Sequence, residues 1–214
     1  MPAHRRTDDR ADIILETLTH RVRLITLDQA AAAWWWLTVR PRSNARKCLR
    51  KLEKQGLVEF ITIMAVPEIE LGEPVYKWHP GDKPPNFGRI AYRLRSRWQA
   101  PLVPTEVVIA TPKAKQLLGG YIGGRKPRRS EATHDVHLTQ VYLRLRRINP
   151  EFAAQWVSDA QQYAEGGGKN ARLPDAIIRD GKTVRMLIEF AGAYSKQKLE
   201  AFHGQAKRYS YQLW

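Results

Sequence analysis

Apolar side chains recur at helical spacing over residues 11–22, where Ile14, Leu15, Leu18 and Val22 fall on one stripe. A second helix is predicted from Asp28, read as its N-cap, through Gln29 and four alanines into Trp34, Trp35 and Trp36. The third pattern is the sharpest. With Ser43 as cap, Ala45, Cys48, Leu49 and Leu52 share one face of a helix, and Arg46, Lys47, Arg50 and Lys54 share the opposite face. Gly56 stops that helix, and a β-rich run over 57–66 follows.

Helix, helix, basic helix, strand is the order of a winged helix-turn-helix, with residues 43–55 as the recognition helix. A Pro- and Gly-rich loop over 73–87 and a basic helix over 90–98 come next, then a strand over 106–110 and a helix over 112–118. The last two resemble the closing strand and final helix of the winged domain, which makes 67–104 an insertion. The expected domains are therefore 1–118 and 131–214, joined by a basic Gly-rich linker over 119–130. Beyond it the pattern predicts a helix over 132–147, a strand near 156–158 and a loop at 166–168. A hairpin with arms 176–179 and 183–190 follows, then a helix over 195–209 with Leu199, Phe202, Ala206 and Tyr209 on its apolar stripe. The fold class expected is α/β (α+β), without internal repeats.

With 43% hydrophobic and 27% charged residues the chain has the composition of a globular protein, so the informative quantity is the sign of its charge. Lys and Arg outnumber Asp and Glu by 36 to 21, a net charge of +15, which points to a polyanion such as nucleic acid. No run of apolar residues is long enough for a bilayer, and the polar N-terminus lacks the apolar core of a signal peptide, so the location expected is the cytoplasm, without a membrane partner. The single cysteine, Cys48, lies on an apolar stripe and is expected in the core. Duplex contact is assigned to Arg40, Arg42, Arg46, Lys47, Arg50 and Lys54 around the third helix, and to Arg125, Lys126, Arg128 and Arg129 in the linker.

Three consecutive tryptophans on a helix spread over about 200°, so at least one of them is expected at an interface. His134 and His137, one turn apart, are expected in a polar role facing the hairpin acids rather than as metal ligands. Those acids are the chemical core of the sequence. Asp175 enters the first hairpin arm and Glu189 leaves the second; held on one face, two carboxylates repel unless a proton or a divalent cation intervenes. Side-chain alternation leaves the face open. Pairing Asp175 opposite Leu187 puts both acids on one face, whereas a tight Asp180-Gly181 turn pairs Asp175 with Met186 and separates them.

Pro174-Asp175 followed by Ile188-Glu189-Phe190 resembles the core of the restriction-endonuclease-like PD-(D/E)xK nucleases. The resemblance implies Mg²⁺ or Mn²⁺ held by Asp175 and Glu189, with Asp159 as a third acid. The lysine expected two positions past the second acid is replaced by Ala191, and Lys198 or His203, or Lys196, is expected to take its part. Over most of its length the chain is also similar to the replication-relaxation family of plasmids and other mobile genetic elements, on the motifs His134-Asp135-Val136-His137, Leu173-Pro174-Asp175-Ala176 and Ile188 to Tyr194.

Together these readings describe a winged helix that docks on duplex DNA, followed by a small nuclease-like domain with a nicking or relaxase-like activity. The rival is a non-enzymatic transcription regulator or replication accessory protein, whose second domain serves homodimerisation or partner docking.

Overall fold

The structure, a computed structural model, describes residues 5–168 and 172–214, with side chains from Arg10 onward. The first four residues of the polar N-terminus lie outside the described residues. The chain is of mixed α/β class with two sheets. Its elements begin with α1 (Arg5–Glu16), a π-helical turn (Thr17–Arg21), β1 (Ile25–Thr26), α2 (Leu27–Trp34), α3 (Pro41–Lys54) and β2 (Val58–Ala65). They continue with β3 (Tyr76–Trp78), α4 (Phe87–Arg95), β4 (Val103–Ala110), α5 (Pro112–Leu117), α6 (Arg129–Ile148) and α7 (Pro150–Ala154). The last are β5 (Trp156–Ser158), α8 (Asp159–Ala164), β6 (Ala176–Asp180), β7 (Thr183–Glu189), α9 (Lys196–Ala206) and β8 (Tyr211–Leu213). Two compact units result, one of Met1–Ala65 with Leu102–Leu143, the other of Val66–Pro101 with Arg144–Trp214.

In the first unit α2 starts two residues earlier than the Asp28 cap implied. Thr26 and Gln29 form a reciprocal capping box at 3.0 Å each way, which satisfies two orphan helix donors at once. The helix ends at Trp34, and the turn that follows sends both Trp34 and Trp35 into the core while Trp36 is 69% exposed. The three tryptophans therefore do not share one helix. Likewise α3 begins at Pro41, whose missing N–H costs nothing at a first helical position, and Ser43 lies inside its first turn instead of capping it. At its other end Gly56, with φ +70°, closes a Schellman motif through Gly56 N–H to Glu53 and Leu57 N–H to Leu52. That turn feeds directly into β2.

β4 is the central strand of the order β1-β4-β2, antiparallel to both neighbours, and its pairing with β2 runs unbroken from Val58↔Ala110 to Ala65↔Val103. Leu24, Ile63, Ala65, Val107 and Ile109 pack with Ala132 and Val136 of α6 beneath the sheet. Of the linker expected over 119–130, residues 120–124 are tied to this unit by backbone hydrogen bonds, and Ile122 is buried. Tyr121 and Ile122 donate backbone N–H groups to the Thr19 carbonyl, and Gly124 donates to Ala110. A Cβ at Gly120 would stand 2.6 Å from the Thr19 carbonyl oxygen, so this glycine serves close backbone approach rather than flexibility.

The span between β2 and β4 belongs to the second unit, whose sheet order is β3-β8-β7-β6-β5. Among the described residues only β7 and β8 pair in parallel. α4 and α9 cover the sheet with Ile90, Ala91, Leu94, Leu199 and Ala206, which join Trp78, Ile177, Leu187 and Tyr211 in one core. The hairpin register is neither of the two foreseen. Gly181, with φ +57°, and Lys182 form the turn between Asp180 and its partner Thr183, one residue later than the Asp-Gly reading. Counted from that turn, an uninterrupted ladder would set Asp175 opposite Ile188. Arg185 is an extra, bulged residue, so the pairing shifts to Ile178↔Met186 and Ala176↔Ile188, and the next position outward brings Asp175 to Glu189.

Candidate functional site

Two places in the chain gather the charged residues singled out by sequence. On α3, Ala45, Leu49 and Leu52 are buried and the cationic side chains point outward. Several of them have partners within the chain. Arg46 reaches Glu106 of β4 at 2.8 Å; Arg50 reaches Glu53 at 2.7 Å and lies 3.9 Å over the Phe60 ring; Arg42 stands 3.3 Å from Asp28. Arg40, Lys47 and Lys54 are exposed. Arg125 makes a forked contact with Glu131 at 2.7 Å, Lys126 pairs with Glu59 at 2.6 Å, and Arg128 and Arg129 are exposed. Pairs as open to water as these hold little net energy, so each can be exchanged for a phosphate. Trp36, Leu37 and Val39, in the turn that enters α3, form an exposed apolar tip, of which the sequence reading singles out Trp36 alone.

The second place is the open end of the hairpin. Glu189 is fully buried, and Asp175 is partly buried on the same sheet face. Each acid accepts a backbone N–H from the other strand: Asp175 N–H donates to Glu189 Oε2 at 3.2 Å, and Phe190 N–H donates to Asp175 Oδ2 at 2.7 Å. Glu189 Oε1 accepts from the Tyr194 hydroxyl and from Arg172 Nη2 at 3.3 Å, and Arg172 Nη2 also donates to the Tyr194 oxygen at 2.5 Å. Lys198, on the first turn of α9, lays its ammonium 3.7 Å over the Tyr194 ring. Burial and then the charge of Asp175 push the Glu189 carboxyl up to about 7. Burial and the neighbouring Glu189 also push the Tyr194 phenol up, and burial with the nearby Arg172 holds the Lys198 ammonium below the usual lysine range. A cleft of about 310 Å³ opens beside the cluster; Arg172, Lys198, Ile177, Leu187 and Phe202 line it.

Of the remaining expected site residues, Asp159 adjoins the hairpin acids through its backbone: it begins α8, its N–H donates to the Asp175 carbonyl at 3.1 Å, and its Oδ1 accepts the next backbone N–H, from Ala160, at 2.8 Å. The others are placed as follows. His203 belongs to an aromatic cluster: its ring is edge-on to Trp78 at 4.6 Å, and Nδ1 meets the Tyr211 hydroxyl at 2.9 Å. Lys196 lies 3.8 Å from Glu200. His137 is fully buried, with Nδ1 donating to the Thr133 carbonyl at 2.7 Å, and His134 stands 3.4 Å from Asp135. This histidine pair lies in the first unit, the hairpin acids in the second. Cys48 is half-buried on α3, and burial pushes its thiol up.

Among the described residues no group of three or more His, Cys, Asp or Glu side chains converges. The acid pair as it stands does not fit a divalent cation, because both Glu189 oxygens and Asp175 Oδ2 already accept donors of the chain, one of them the Arg172 guanidinium at Glu189 Oε1. Arg172 and Tyr194 were not assigned to the site by sequence reasoning. The signals were positional: Arg172 precedes the Leu-Pro-Asp motif, and Tyr194 closes the Ile188 to Tyr194 motif. Among the described residues no helix is long and apolar enough to cross a membrane. No family model matches the sequence, and neither a curated protein nor a solved structure matches it.

Proposed function

We propose that this protein binds duplex DNA through its first unit, read as a winged helix in which α3 is the recognition helix and the β2–β4 pair the wing. The single observation that carries this is the outward cationic face of α3, set on a three-stranded antiparallel sheet of order β1-β4-β2 in a chain of net charge +15. The second unit is read as a nuclease-like core whose acid pair is held by the chain's own donors. The likeness to the replication-relaxation family of mobile elements belongs to this proposal.

The test is duplex affinity across a salt titration. Replacing Lys47 and Lys54, both exposed, with alanine removes up to two phosphate contacts without touching an internal pair. The slope of log K against log salt should then flatten by about 0.9 for each phosphate that is no longer neutralised. An Arg46→Ala, Arg50→Ala variant should weaken binding further. Unchanged slopes in both would overturn the reading.

Metal-dependent nicking is a second reading, which requires Arg172 to leave Glu189 before a cation can bind; the observation that favours it is Lys198, which stands beside the facing acids in the part of the lysine that Ala191 replaces. It requires nicking of supercoiled DNA with Mn²⁺ that disappears in both Asp175→Asn and Glu189→Gln.

A further inference from the structure

We infer that Arg172 is the built-in cation of the hairpin site, occupying with its guanidinium the position at which the facing carboxylates of Asp175 and Glu189 would otherwise take a divalent metal ion. Facing carboxylates need a proton or a positive charge close by, and here the chain supplies a guanidinium at Glu189. Arg172 Nη2 is within hydrogen-bonding distance of both Glu189 Oε1 and the Tyr194 oxygen, so one planar group neutralises the buried acid and orients the phenol. A hydrated cation cannot share that oxygen with a guanidinium: oxygen ligands lie about 2.0 to 2.6 Å from Mg²⁺, Mn²⁺ or Ca²⁺, and two positive charges so close repel strongly in a buried setting.

The arrangement is nevertheless one step from a metal site. The Arg172 side chain is 52% exposed, whereas Glu189 is 0% exposed, so the cation sits on the solvent side of the acid it neutralises. Arg172 also lines the 310 Å³ cleft, and removing its side chain would open a path from that cleft to the acids. Asp175 and Glu189 keep their relative position without Arg172, because each is held by a backbone N–H of the opposite strand. Two carboxylates, the Tyr194 hydroxyl and waters from the cleft would then form an oxygen-rich set of the kind hard divalent cations take.

Mn²⁺ binding measured by electron paramagnetic resonance and by titration calorimetry tests this on the full chain, without reference to DNA or to cleavage. Wild type should bind Mn²⁺ weakly or not at all. Arg172→Gln and Arg172→Ala should each bind one Mn²⁺ at least tenfold more tightly, and adding Asp175→Asn to either should abolish the gain. Arg172→Lys, which keeps the charge but not the fork, should fall between. Far-ultraviolet circular dichroism identifies any variant that fails to fold, and with two neutral replacements one misfolded variant leaves the other as the test. Tight Mn²⁺ binding by wild type that depends on Asp175 would overturn the inference, and so would folded Arg172 variants that gain no affinity. Since duplex binding is read separately by salt titration, failure here leaves the winged-helix reading intact.

Discussion

A buried glutamate that meets an aspartate, a tyrosine and an arginine decides most of the chemistry at the residue scale. Glu189 stays protonated to a higher pH in the folded chain than in the unfolded one, because burial and the Asp175 charge oppose its ionisation. From about 4.5 to about 7 the folded state therefore holds a proton that the unfolded state has released, and this group lowers stability as pH rises through that window. Glu189→Gln keeps the side-chain oxygen and removes the titration. In urea denaturation, stability of Glu189→Gln minus that of wild type should rise with pH by up to about 1.4 kcal/mol per pH unit in that window. A difference that does not change with pH would mean that Glu189 titrates alike in both states. Tyr194→Phe tests the same cluster from its other side: it leaves Arg172 and Glu189 short of a partner and should cost about 1 to 3 kcal/mol, read in the same denaturation.

At the scale of elements, parity is the controlling variable. Strand alternation means that a one-residue slip carries a side chain to the other face, so the bulge at Arg185 is the feature that reconciles a Gly181-Lys182 turn with facing acids. Deleting Arg185 should regularise the ladder while keeping Ala176 opposite Ile188, at the loss of one exposed ion pair to Asp180 at 2.9 Å. The deletion variant is thus expected to fold and to keep the pH-dependent difference on Glu189→Gln substitution. Disappearance of that difference would show that the bulge does more than adjust register. Such a bulge leaves no mark in hydrophobic patterning, because Val184, Met186, Leu187 and Ile188 can be paired in either register until β5 and β8 close on either side of the hairpin.

For the whole molecule the question is what a net charge of +15 does. A polyanion is drawn to it over roughly a Debye length, about 8 to 10 Å at ordinary salt, before any specific contact forms. Arg125, Lys126, Arg128 and Arg129, all exposed, contribute to that field from the segment that leads into α6. Neutralising all four should weaken specific and random duplexes by the same factor, with flatter salt slopes for both, in fluorescence anisotropy titrations. A weakening on one sequence alone would mean that these side chains read bases.

What the sequence by itself determined is whatever depends on neighbours along the chain. The apolar stripe of Ala45, Leu49 and Leu52, the Gly56 stop, the hairpin arms and the charge excess are all local, and the helices and strands stand close to where periodicity put them. Local competition shifted some boundaries: the Thr26–Gln29 box outcompeted Asp28, and Pro41 outcompeted Ser43. Tertiary structure alone decided the rest. Whether Gly120 is a hinge or a contact depends on the Thr19 carbonyl, remote in sequence, and whether residues 66–101 form an insertion of their own depends on β3 finding β8 at the far end of the chain. The site follows the same rule. Asp175 and Glu189 could be named from sequence, but their common face came from a bulge, and Arg172 and Tyr194 came from folding two flanking segments onto the hairpin's open end, where burial of one carboxylate calls for a cation and a hydroxyl that no local pattern specifies.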